Sequence, residues 1–132
     1  MIITDLVRVE VLERALAARP MEACGLLAFD TEGVLRKAYC VPNADQSTVE
    51  FTIDPAEHHR VVRMADANGW TIRGAFHSHP AGPALPSATD MAGAPGGEWI
   101  DVIVGLEGRH PEMRAWRIVE GVPVEEPLEA GE

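Results

Sequence analysis

The sequence predicts a single α/β domain. Short apolar runs bounded by turn residues alternate with longer stretches of helical periodicity. The 132 residues are the length of one domain, with 46% hydrophobic and 24% charged side chains. No repeat, low-complexity block or internal linker divides them. Residues 1–124 are read as the domain and 125–132 as an acidic tail that frays.

Each element has a local cause. Met1 to Thr4 is a short β-like start. Thr4 or Asp5 then caps a helix to about Ala18, with Val9, Leu12, Ala15 and Leu16 on one face and Pro20 as its stop. Glu22 to Phe29 (EACGLLAF) is a largely apolar strand, turned at Thr31-Glu32-Gly33 into a second strand, Val34 to Val41. Pro42 to Thr48 is a polar loop, and VEFTI (Val49 to Ile53) reads as another short strand. Asp54 as N-cap, Pro55 at the first helical position and Glu57 three residues after the cap mark the next helix, which Asn68-Gly69 ends. Trp70 to Phe76 is a strand that delivers His77 and His79. After the Gly/Pro-rich PAGPALP, Ser87 caps a short helix from about Ala88. Trp99 to Leu106 and Met113 to Val119 are strands joined by EGRHPE.

Composition excludes several functions. The formal charge of −10, from 21 acidic and 11 basic residues, repels phosphate backbones and anionic lipid, so neither nucleic acid nor membrane is an expected partner. The N-terminus lacks the basic start and unbroken apolar stretch of a signal peptide, and no run is long enough to span a bilayer. A cytoplasmic location follows. Cys24 and Cys40 form no CxxC pair. They would face each other across a hairpin turning near Glu32, but two free buried thiols suit a reducing cytosol better.

The chemistry-bearing stretch is His77-Ser78-His79, followed by Ser87 and Asp90. Strand residues two apart share a side, so both imidazoles can address one point. Ser87 and Asp90, three apart, share a helical face. Two histidines and one carboxylate suit a catalytic zinc, which keeps three protein ligands and an open fourth position. Each fragment alone is weak: strand histidines often only pack, and Ser87 or Asp90 could serve a helix N-terminus. His58 and His59 fit a solvated or packed helical face, and His110 a turn. Cys24 fits strand packing, and Gly96-Gly97 lacks the strand and helix of a phosphate loop.

Together the residues match HxH-x(7)-S-x(2)-D, with Glu22 of PMEACGLL in an earlier strand. This pattern resembles the JAMM (MPN+) metalloprotease family, over nearly the whole chain. The resemblance implies an MPN-like mixed sheet curved around helices and one zinc per chain on His77, His79 and Asp90. It also implies Glu22 as general acid/base and Ser87 as an oxyanion donor. The short loop from His79 to Ser87 is similar to compact prokaryotic members. RAWRIVEGVPVEEP is similar to members that release cysteine from a ubiquitin-like sulfur carrier ending in Gly-Gly. The implied substrate is therefore an amide at such a carrier's C-terminus. The alternatives are isopeptide cleavage of a ubiquitin-like modifier from lysine and a metal-free MPN scaffold. A zinc nucleoside deaminase is disfavoured, since HxE and PCxxC are missing. The oligomeric state stays open, a homodimer included.

Overall fold

The computed structural model describes residues 1–45, 47–48 and 51–131. Its elements are, in order, β1 (Ile2–Thr4), α1 (Asp5–Ala18), β2 (Cys24–Phe29), β3 (Leu35–Val41), α2 (Pro55–Ala67), β4 (Thr71–His79), α3 (Ala88–Gly93), β5 (Ile100–Gly105), β6 (Glu112–Val119), β7 (Val122–Glu126) and β8 (Glu129–Gly131). The strands form one sheet in the order β7-β6-β5-β4-β2-β3-β1-β8. It is mixed: β4 runs parallel to β5, and β1 parallel to β3 and β8, while the other pairs are antiparallel. Register shifts near Ala28 against both neighbours bend β2 and strengthen the curl.

The helices cover opposite faces. Val7, Val11 and Ala15 of α1 pack with Leu27, Phe29, Phe76, Val102 and Val104. Val61 and Ala65 of α2 pack on the other face with Leu26, Tyr39 and Ala75. On β4, Phe76 thus belongs to the α1 side, and Ala75, with the alternating His77 and His79, to the α2 side. Glycine lets β2 pass close: a Cβ on Gly25 would meet Phe76 at 2.2 Å and the Tyr39 carbonyl at 2.5 Å.

Both long helices start as the capping residues dictate. Thr4 accepts from the Val7 N–H, and Asp54 from the Ala56 N–H ahead of Pro55. The buried stripe of α1 differs from the expected one. Val9 and Leu16 are exposed (49% and 42%), because the 7-11-15 row, equally helical in spacing, meets the sheet.

Three further expectations are corrected. Val49 and Glu50 lie outside the described residues, and Phe51 to Ile53 form no strand. Their neighbourhood is closed as a loop instead: Ala44 N–H donates to the Thr52 carbonyl, and Asn43 Oδ1 accepts from the Asp45 and Thr52 N–H groups. As far as Gly131 the acidic tail does not fray, since β7 runs to Glu126 and β8 adds to β1. Met1 fastens this edge through its ammonium to the Pro127 carbonyl and its carbonyl to the Glu129 N–H. The hairpin pairs Cys24 with Val41 and Gly25 with Cys40, so the two thiols do not face each other and both are free. Burial, with the charge of Glu22 adding, pushes the Cys24 thiol up to about 12. It is an unreactive packing group.

The α1 assignment sets an expected contrast in urea denaturation. Val11→Ala, at a fully buried position, lowers stability by about 2 kcal/mol. Leu16→Ala stays within about 0.5 kcal/mol of wild type; equal losses would show that the other stripe faces the sheet.

Candidate metal centre

β4 is an interior strand, flanked by β2 and β5, and its last turn of alternation carries His77 and His79 on one side. His77 is paired with Cys24 and Ile103, and His79 with Gly105. The chain then loops over the sheet and enters α3 through a capping box. Ser87 Oγ accepts from the Asp90 N–H at 3.0 Å, and the Ser87 N–H donates to Asp90 Oδ2 at 2.9 Å. That same carboxylate oxygen faces both imidazoles.

The result is a small triangle. Nε2 of His77, Nε2 of His79 and Oδ2 of Asp90 lie 3.1 Å from one another on all three sides. The centre of such a triangle is 3.1 Å/√3, about 1.8 Å, from each corner. A point slightly above the plane therefore reaches all three at the ~2.0–2.2 Å of zinc–nitrogen and zinc–oxygen bonds.

Proton placement favours a cation there. His79 Nδ1 is 2.8 Å from the Pro83 carbonyl, which only accepts, so Nδ1 carries the proton. The Nε2 of a neutral His79 then turns a lone pair toward the Asp90 oxygen. Two electron-rich atoms at 3.1 Å repel unless a proton or cation lies between them. Burial works to lower the His79 pKa, but Asp90, the Pro83 carbonyl and Glu22 outweigh it and hold it above its usual value. His77 shifts the other way. It is 1% exposed, and burial overrides Asp90 to keep it neutral. For Asp90 burial is again the opposing influence, and the two imidazoles and the Ser87 N–H hold the carboxyl well below its ordinary range. The donor set fits a divalent metal of the zinc type.

Glu22 also forms, with His77 and His79, a group that could hold a metal ion. Its carboxylate and the ring nitrogens of His77 and His79 lie within 4.8 Å of one another, and it is 3% exposed. It precedes β2 instead of belonging to it. Its backbone is tied on both sides: N–H to the Ser47 carbonyl at 2.9 Å, carbonyl from Asn43 Nδ2 at 3.2 Å. The next residue, Ala23, donates to the buried Ser78 Oγ at 2.8 Å and accepts from the Ser78 N–H.

Ser87 is an exposed cap whose oxygen is already accepting, but a hydroxyl that accepts still has its proton to donate. His58 lines the cavity next to His77 without joining the triangle. His59 and His110 are exposed and belong to α2 and a turn.

Several supporting residues carry no motif in the sequence. Phe51 stacks on His77, with ring centroids 4.5 Å apart and planes 19° from parallel. Trp116 donates Nε1–H to the Ala84 carbonyl at 2.9 Å. Ala84 is fully buried against Ile103 and Trp116, and sits so close over Gly105 that a Cβ there would meet the Ala84 nitrogen at 2.4 Å. This anchor fixes the Pro83 carbonyl that orients His79. No periodicity could have shown it, because it joins residues 32 apart.

The fold, with its cluster of potential metal donors, can be set beside known proteins. Residues 6–119 match the Prok-JAB family, the prokaryotic homologs of the JAB domain. The chain belongs to this family, and its fold is that of the JAMM/MPN structures. It is 39% identical over 114 residues to the CysO-cysteine peptidase of Mycobacterium tuberculosis, covering 83% of this chain and 76% of the relative. It is 33% identical over 107 residues to the desampylase of Pyrococcus furiosus, covering 81% and 74%. The solution structure of DSY2949 from Desulfitobacterium hafniense superposes with a TM-score of 0.90 at 35% identity, covering 100% of this chain and 94% of that one.

The anchor has a measurable consequence. Trp116→Phe keeps an aromatic ring but removes the indole N–H and part of the packed volume, costing about 2–3 kcal/mol of stability. Through the loosened Pro83 carbonyl it weakens Zn²⁺ affinity about tenfold in a chelator competition. Unchanged affinity would show that His79 does not need this loop.

Proposed function

We propose that this chain is a zinc-dependent peptidase with one zinc on His77, His79 and Asp90, hydrolysing an amide at the C-terminal end of a small ubiquitin-like carrier protein. The observation that carries the reading is the 3.1 Å triangle with the Glu22 carboxylate beside it. Such a zinc ion, when bound, acidifies water and polarises a carbonyl. The protein's own groups do the remaining work. Glu22 accepts a proton from the attacking water as its oxygen bonds to the carbonyl carbon. It returns that proton to the nitrogen as the carbon–nitrogen bond breaks. Ser87 directs its free hydroxyl proton at the carbonyl oxygen, where negative charge grows.

Relatives named CysO-cysteine peptidase and desampylase, and one named a probable TtuB-protein conjugate cleaving protease, support carrier-type substrates. The first favours release of cysteine in sulfur assimilation, and is the leading reading. The other two support the isopeptide alternative, removal of a ubiquitin-like modifier from lysine. A Gly-Gly tail has no side chains, so it can thread a narrow groove in extended form to reach the triangle. A cytosolic setting suits the two free thiols. A metal-free scaffold has no use for three converging donors. No helix among the described residues is long and apolar enough to cross a membrane.

Zinc-loaded protein incubated with carrier–cysteine and carrier–lysine conjugates separates the substrates. Release of cysteine is the expected result; cleavage of neither conjugate would remove the carrier assignment. Glu22→Gln keeps its zinc and loses about a thousandfold in turnover, and an active, metal-loaded Gln variant would refute the general-base role. Ser87→Ala loses about a hundredfold in kcat with zinc retained. Loss of zinc in parallel would mark Ser87 as a cap alone.

A further inference from the structure

A cavity of about 340 Å³ lies beside the triangle, lined by His77 and Asp90 and, among others, by Leu26, Phe51, Trp99 and Asp101. The proposed hydrolysis makes no use of Asp101. On β5 it pairs with Ala75, as Ile103 pairs with His77. It therefore shares the sheet face of the two histidines. One two-residue step along a strand is about 6.6 Å, comparable with the reach of a four-carbon stem. The volume is at the lower end of small-molecule sites and leaves room for one flexible side chain.

The Asp101 carboxylate has a hydrogen bond from the Trp99 side chain and, with His58 also lining the cavity, no salt-bridge partner among the described residues. No described residue lining the cavity is Lys or Arg, and none of the ion pairs among the described residues includes Asp101. Burial, with the charge of Asp90 adding and the Trp99 side chain opposing, pushes its carboxyl up to about 6. At pH 7.5 it is ionised in a largely apolar cavity, where an incoming cation or N–H donor gains most. Phe51 and Trp99 offer aromatic surface to an alkyl stem or its cationic end.

We propose that this cavity receives the group attached to the nitrogen of the scissile amide, and that Asp101 selects there an apolar stem ending in an ammonium or N–H donor over one ending in a carboxylate. The inference rests on the isopeptide form of the amide hydrolysis proposed above, because a cysteine leaving group would carry its own carboxylate toward Asp101. A Gly-Gly tail brings no side chain of its own, so a cavity opening on the metal ligands serves the leaving side.

The test uses zinc-loaded full-length protein and one carrier joined at its C-terminus to 1,5-diaminopentane, pentylamine or 5-aminopentanoate. These leaving amines share a stem and differ only at its end. The expected kcat/KM is highest for the ammonium and at least about tenfold lower for the carboxylate. Asp101→Asn brings the ratio toward unity with zinc content and Tm unchanged. A ratio near unity in the wild type, or one that Asp101→Asn leaves intact, overturns the assignment. Calorimetric binding of free 1,5-diaminopentane and glutarate decides the subsite independently of turnover. Tighter binding of the diamine, weakened in Asp101→Asn, supports the subsite even where no conjugate is cleaved and the hydrolysis reading fails; equal binding overturns it.

Discussion

Three electron-rich atoms held 3.1 Å apart are the constraint around which this end of the molecule is organised. Left without a positive charge between them, they repel, so the fold must hold them together by other means. It does so with backbone. The histidines ride on an interior strand bonded on both sides, which leaves their Cα positions no freedom to separate. Asp90 is held by a reciprocal cap, so one carboxylate oxygen serves the helix start and the triangle at once. A bound cation would replace the repulsion with attraction, coupling occupancy to stability.

The supporting structure comes from separate segments. Trp116 on β6 holds Ala84, the adjoining Pro83 carbonyl holds the His79 ring, and Gly105 provides the room. On the opposite flank, Asn43 both closes the 43–52 loop and binds the Glu22 carbonyl, while Ser78, between the two histidines, fixes Ala23 from the other sheet face. Glu22 and the histidines are thus tied to the same strand, which sets the carboxylate's distance from the rings. Among the described residues, a hydrogen bond sets the tautomer of His79 but not that of His77. His77 Nδ1 is buried with no partner among the described residues, and stacking on Phe51 positions the ring instead.

The parts of this arrangement that were legible from sequence are those with a short spacing. His77 and His79 two apart in a strand, Ser87 and Asp90 three apart at a helix start, and the Asp54-Pro55 cap all encode geometry within a few residues. Where two local patterns compete, sequence cannot choose. Helix α1 offers two apolar rows, and only the sheet decides that Val7, Val11 and Ala15 go inward. VEFTI alternates like a strand, yet the described Phe51–Ile53 are drawn into a loop by Asn43. The tail gains its strand from an edge, β1, at the far end of the chain. A one-residue offset in the β2–β3 register separates Cys24 from Cys40. Trp116 and Ser78 carry no sequence signal of their roles, which exist only once distant segments meet.

The most direct measurement is the metal content of the purified protein, with His79→Ala beside it. The account predicts close to one zinc per wild-type chain and almost none in the variant, with the variant still folded. Substoichiometric metal in the wild type under zinc-replete conditions, or a variant that binds as much as wild type, would contradict it.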